Sequence, residues 1–276
     1  MSDGINYAKL FGFESVAAAV VFTILYIPFF GWFVRQSIAR PNYVYFVLTL
    51  FCTIRVVSFA IRAALAASTS TGENLSLFLA DQVLSGVGYF GLLYSAYTLV
   101  LDLEQISDRT RSNNSILALT RNRRVFRLIL LIAVVLGIVS ATQNDPQSSL
   151  ATTLHKVSII IFLILTALQL FQTVLLARMD LADGIPHRQG SNTFGRAYGI
   201  YILLFIAILL MVREVFTTAT LGSPAKFYNE HFWYPLVAVP EILAVLCYST
   251  PDLVPRRDEL PTSSNYQLNN RDSPVR

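Results

Sequence analysis

The chain has 276 residues, of which 54% are hydrophobic and only 14% charged, with a formal net charge of +4 at pH 7. Soluble domains carry about 25% charged residues, so this composition excludes an ordinary water-soluble domain and indicates a membrane protein. The positive balance is accounted for by loop placement below and gives no argument for a nucleic-acid partner.

In chain order, residues 1–13 form a short leading segment whose acidic flanks, Asp3 and Glu14, do not fit a cleaved signal peptide. Seven windows then approach the ~20 apolar residues that a helix needs to cross a bilayer. They are Glu14–Val34, Tyr43–Ala67, Leu77–Leu101, Val125–Ala141, Leu154–Leu176, Ala197–Leu221 and Phe232–Tyr248. The fold expected is an all-α membrane protein: one seven-transmembrane-helix bundle over residues 14–250, multi-pass, in a plasma membrane or an endomembrane. After Tyr248 the composition turns to Pro, Asp, Asn, Ser and Arg, which predicts a disordered tail over 251–276.

Alternate assignment of the loops sets Arg35, Arg40, Arg109, Arg111, Arg121, Arg123, Arg124, Arg178, Arg188, Arg196 and the arginines of the tail on one side. Lys9, Lys156 and Lys226 fall on the other. Positive residues favour the cytosolic side, so the N-terminus is expected outside and the C-terminus in the cytosol. Trp32, Trp233, Tyr43, Tyr45 and Tyr234 lie near span ends and read as interfacial anchors.

The features most open to a functional reading are ionisable residues within apolar spans: Arg55, Arg62, Asp81, Arg213, Glu214 and Glu241. Each would cost about 2.5–3.5 kcal/mol facing lipid at the bilayer centre, so they are expected to turn inward and pair. At 1.5 Å per residue, Arg62 reaches a depth comparable with Asp81, and Arg55 one comparable with Glu241. Arg213 and Glu214 are adjacent, point about 100° apart, and are expected to face different neighbours. Pro240 removes a donor beside Glu241 and is expected to open a polar pocket there, while Pro235 is read as marking the start of its helix. Gly86, Gly88, Gly91 and Ser95 would let neighbouring backbones approach. The cluster either fixes helix register through ion pairs or lines a binding or translocation cavity.

Other chemistry finds little footing. No lysine lies deep in a span, which excludes a retinal Schiff base. His155, His187 and His231 lack the paired spacing of a catalytic metal site, Cys52 and Cys247 read as core residues, and neither a cofactor nor enzymatic activity is expected. The expected partners are membrane lipid, a small amphipathic ligand, and a cytosolic protein at the basic Arg109–Arg124 loop. The readings carried forward are an amphiphile-binding membrane protein, a transporter or lipid translocator, and a seven-helix receptor.

Tyr26-Ile27-Pro28, Arg35, Ile54-Arg55, Val212-Arg213-Glu214-Val215-Phe216, Glu241 and Tyr248 form an ordered set. With the helix count, this set resembles a fungal family of seven-span integral-membrane proteins known only as a domain of unknown function, over about residues 10–250. The resemblance implies a fungal membrane protein and supplies no activity. A weaker similarity is to the fungal RTA-like lipid-translocating exporters, which share seven spans and a sixth helix bearing Arg and Glu. The chain departs from them where Glu214 directly follows Arg213 and where Asp252 follows Pro251.

Overall fold

The structure is a computed structural model that describes residues 6–13, 15–106, 122–142, 149–182 and 194–255. Among these residues, seven helices are long and apolar enough to cross a membrane. They are α1 (Val16–Ala39), α2 (Tyr43–Ala67), α3 (Leu75–Ile106), α4 (Arg123–Ala141), α5 (Ser149–Ala182), α6 (Gly199–Ala219) and α7 (Glu230–Tyr248). The architecture is that of a multi-pass membrane protein.

Several helix starts are written locally. Ser15 Oγ accepts from the Ala18 amide at 3.1 Å, and Asn42, Asn122 and Asn229 cap α2, α4 and α7 by accepting from the amide two residues on. Each cap satisfies a donor that the first helical turn leaves unpaired. Asn229 therefore opens α7 more than a turn before Pro235, so that proline does not mark the helix start as the sequence suggested. Instead, Pro235 lies within a π-helical turn, Tyr234–Ala238, where the Val239 amide reaches back five residues to the Tyr234 carbonyl.

The helices form a closed hoop in chain order, each touching the next, with α7 returning to α1. The third helix is the hub, because it also contacts α5 and α6. Every residue from Gly91 to Leu103 is buried, as expected of a helix that is apolar on all sides. By contrast, α1 buries only Ala19, Tyr26 and Phe33, which repeat every seventh residue and form one seam, leaving Val21, Ile24 and Ile27 exposed as a lipid-facing helix requires.

Close approach between α2 and α3 depends on two glycines. A Cβ at Gly91 would stand 3.3 Å from Val47 Cγ1, and one at Gly88 would stand 3.4 Å from Arg55 Cζ. Gly86 differs from the expectation: a Cβ there meets nothing within 4 Å, so this glycine opens space instead of tightening a helix contact.

Both ends of the hoop are tied. At the face carrying the N-terminus, a single turn at Tyr7–Leu10 leads to Gly12, which takes φ +74°, the left-handed conformation that glycine adopts most readily. Ala8 and Phe13 pack there against Leu65 and Phe78, and the Ser15 amide donates to Glu230 Oε2 at 2.8 Å. At the opposite face Arg40 Nη1 meets Asp252 Oδ1 at 2.6 Å, and Asn42 Nδ2 donates to the Pro255 carbonyl at 3.1 Å. Leu253 and Val254 are buried, so the folded region runs past the boundary expected at residue 250; the rest of the expected tail, from residue 256, lies outside the described residues.

Candidate functional site

The six ionisable residues that the sequence singled out are all buried, and they fall into two groups. The deeper group brings together α2, α3, α6 and α7. Arg55 Nη2 donates to Glu241 Oε1 at 2.5 Å, while its Nη1 reaches Ser85 Oγ at 3.2 Å. Arg213 Nε donates to the same Glu241 oxygen at 3.1 Å. The pairing of Arg55 with Glu241 thus agrees with the depth count.

Arg213 corrects a second expectation. Its Nη1 donates to Glu214 Oε2 at 2.6 Å, so the adjacent residues do pair. Their Cβ directions diverge, but a long guanidinium stem can bend around the helix, and its planar fork serves two carboxylates at once. The face of the fork lies over the Tyr89 ring, 3.8 Å from the centroid, and the Tyr89 hydroxyl is 2.7 Å from Thr166 Oγ1.

The second group lies nearer the N-terminal face. Ser58 Oγ donates to Asp81 Oδ1 at 2.6 Å, and Arg62 Nη2 stands 3.6 Å from Asp81 Oδ2, an ion pair too long to be a hydrogen bond. The Arg62 guanidinium lies over two rings, its Cζ 3.6 Å from the Trp233 centroid and 4.3 Å from that of Phe13. Trp233 is accordingly buried and is not the interfacial anchor its position suggested; Tyr45 is buried as well, while Tyr43 remains exposed. Arg62 Nε, Asp81 Oδ2 and Glu241 Oε2 are buried and make no hydrogen bond among the described residues, Asp81 Oδ2 keeping only its ion pair with Arg62.

Beside these groups lies a cavity of about 310 Å³ between α3, α4, α5 and α6, lined toward the N-terminal face by Phe11, Phe227 and Tyr228. Its wall is apolar along Val83, Val87, Val134, Ile138, Ile159 and Phe162, and charged where Arg62, Arg213 and Glu214 enter. From α7 only Trp233 lines it, so the pocket is not opened by Pro240, which is buried next to the paired Glu241. Gly86 and Gly137 supply part of the room. At that end, the Tyr228 hydroxyl donates to Gln82 Oε1 at 3.0 Å; burial raises its pKa above the usual phenol range, which keeps that donor proton in place.

Several of these groups are absent from the sequence reading. Ser58 lies between Arg55 and Arg62 at helical spacing, and Asp81, Ser85 and Tyr89 recur every fourth residue, so both polar stripes were visible in principle. Phe11, Phe13 and Tyr228 carry no such signal, because loops place them. His155 lines the cavity, and among the described residues no group of three or more His, Cys, Asp and Glu could hold a metal. His187 and residues 107–121 of the basic loop lie outside the described residues.

The model of one protein family, described as domain of unknown function DUF7702, matches residues 14–190. The match covers α1 to α5, including Tyr26, Arg55, Arg62 and Asp81, and stops before Arg213, Glu214 and Glu241. No curated protein and no solved structure matches the chain.

Proposed function

For a chain that belongs to the DUF7702 family, whose description names no activity, we propose that it binds a small amphipathic or lipid-like molecule in the cavity beside α3. The observation carrying this reading is the joining of an apolar wall to a charged end within about 310 Å³, at the lower end of the ~300–1,000 Å³ typical of ligand pockets. The charged end is preorganised, since Arg213 is already fixed by two carboxylates and Arg62 by two rings. The reading is of a binding protein, not an enzyme, and needs no cofactor. Lys and Arg placement supports a cytosolic C-terminus, which sets the cavity in the outer half of the membrane, plasma membrane or endomembrane.

Mass spectrometry of the purified protein tests it. A stoichiometric amphiphile should accompany the native chain and be lost from Gly86→Leu, whose side chain enters open space in the cavity wall without disturbing a packed contact. Retention of the same compound by a folded Gly86→Leu variant would place it elsewhere.

One observation favours a second reading, lipid translocation. The π-helical turn and Pro240 interrupt α7 directly before Glu241, and such turns are frequent at functional sites. In vesicles carrying a fluorescent phospholipid, a translocator should expose inner-leaflet label to an external quencher, and Glu241→Gln should abolish that exposure. Unchanged leaflet asymmetry with native protein leaves binding alone.

A further inference from the structure

The buried charges beside the cavity leave nothing over. Arg55 and Arg213 are held by Glu241 and Glu214 at 2.5 to 3.1 Å, and Arg62 is paired with Asp81 at 3.6 Å. Three positive and three negative side chains therefore cancel. The imidazole of His155, which also lines the cavity, is largely uncharged at neutral pH. An ionic headgroup would enter this site without a counter-charge, which makes its desolvation costly whatever its sign.

The hydroxyls of the wall narrow the class further. Six of them line the cavity, and four donate to a carbonyl of the protein itself: Ser158 to Ala133 at 2.7 Å, Thr217 to Arg213 at 3.0 Å, Thr220 to Phe216 at 2.8 Å, and Tyr228 to the Gln82 amide oxygen at 3.0 Å. Tyr89 also spends its proton, because Thr166 Oγ1, 2.7 Å away, already donates to the Phe162 carbonyl and so accepts from the phenol. Ser85 accepts from Arg55 Nη1. A hydroxyl whose proton is committed still carries lone pairs, and Glu214 in the same wall is an acceptor only. The uncharged N–H groups are fewer, those of Gln82, Trp233 and His155. An ester or ether oxygen would leave the acceptors unused, whereas an O–H group donates to them and can accept as well.

Building on the amphiphile reading, we propose that the ligand is an uncharged amphiphilic alcohol. Its O–H donates into the acceptor-rich wall formed by Ser158 on α5 and Thr217 and Thr220 on α6, and its apolar body lies along Val83, Val87 and Phe162.

Titration calorimetry of the native full-length protein, freed of co-purified lipid and held in amphipol, separates the headgroups. Octanol, octanoate, octylammonium and methyl octyl ether share one chain and differ at the polar end. Partition into amphipol, measured without protein, is subtracted. Octanol should bind about fivefold more tightly than the ether, the worth of roughly one net hydrogen bond, and about tenfold or more above either ion. An ion that binds as tightly as octanol overturns the neutral class, and an ether equal to octanol overturns the donor assignment; both results leave the amphiphile cavity standing. Saturable binding of none of the four removes the cavity reading and this one with it. Every arm uses native protein, so no variant has to fold.

Discussion

Glu241 is the residue on which the deeper network turns, because one of its oxygens serves two guanidinium groups from different helices. Removing one partner of a buried ion pair leaves an uncompensated charge and typically costs about 3–5 kcal/mol. Glu241→Gln leaves Arg55 and Arg213 against Glu214 alone, a net positive core, and is expected to lose stability of that order. Replacing Arg55 and Glu241 together by Gln leaves only the Arg213–Glu214 pair, which is neutral. The double variant should therefore unfold at a higher temperature than Glu241→Gln, followed by tryptophan fluorescence in detergent. Additive losses would show that the two side chains are not energetically coupled.

The same residues show how far sequence carries. Depth counting matched Arg55 with Glu241 and Arg62 with Asp81, because helical rise is fixed and charge in lipid must find its opposite. It missed the Arg213–Glu214 pair, since the direction of a Cβ does not limit where a four-bond stem can place its fork. It also missed the rings around Arg62. Phe13 arrives from a loop, and Trp233 turns inward on a helix whose start, set by Asn229, is earlier than Pro235 implied.

At the level of helices, all seven spans were legible and the second is identical in both readings, Tyr43–Ala67, while α1, α3 and α5 run more than a turn past the ends expected at Val34, Leu101 and Leu176. Apolar length is a local property, so it survives without knowledge of the neighbours. The π-helical turn was not legible, because an extra residue in a turn is decided by what the helix must reach on either side. In α7 those targets are Arg62, under Trp233, and Arg55, beside Glu241. Deleting Leu236 would restore an α-helical register and rotate one target away from the other by about 100°. Folded yield by size-exclusion chromatography should collapse for that deletion. Yield should change far less for Leu236→Ala, which shortens the side chain and keeps the turn.

The glycines of α3 give a second test on this scale. Gly91→Leu forces a branched side chain against Val47 Cγ1, already 3.3 Å from a single Cβ, and should separate α2 from α3. Gly86→Leu meets open space and should fold. Thermal unfolding should therefore rank Gly91→Leu well below Gly86→Leu. Equal stability would mean that Gly86 is packed as closely as its neighbours.

Across the whole molecule, the Arg62–Asp81 group lies toward the face that carries the N-terminus, and residues 6–13 fold over that end. Phe11 stacks on Phe78 with centroids 4.7 Å apart and also lines the cavity, while Phe13 covers Arg62. This leading segment was read from sequence as a short extension, since its few aromatic residues have no helical period to reveal their target. Removing residues 1–13 should expose one face of the Arg62 guanidinium and shorten the residence time of a bound amphiphile, measured by exchange against a fluorescent competitor. An unchanged off-rate would show that the segment does not guard the entrance.

The first helix has a different standing from the rest. It buries three residues along one stripe, yet it is pinned at both rims to the last helix or its continuation, by the Ser15 amide on Glu230 and by Arg40 on Asp252. It hangs like a door on an upper and a lower hinge, with a greasy panel between. Parting the seam it shares with α7 would break both of those ties and the stacked Phe22–Tyr234 rings between them, so a solute dissolved in the surrounding acyl chains meets a latched joint there.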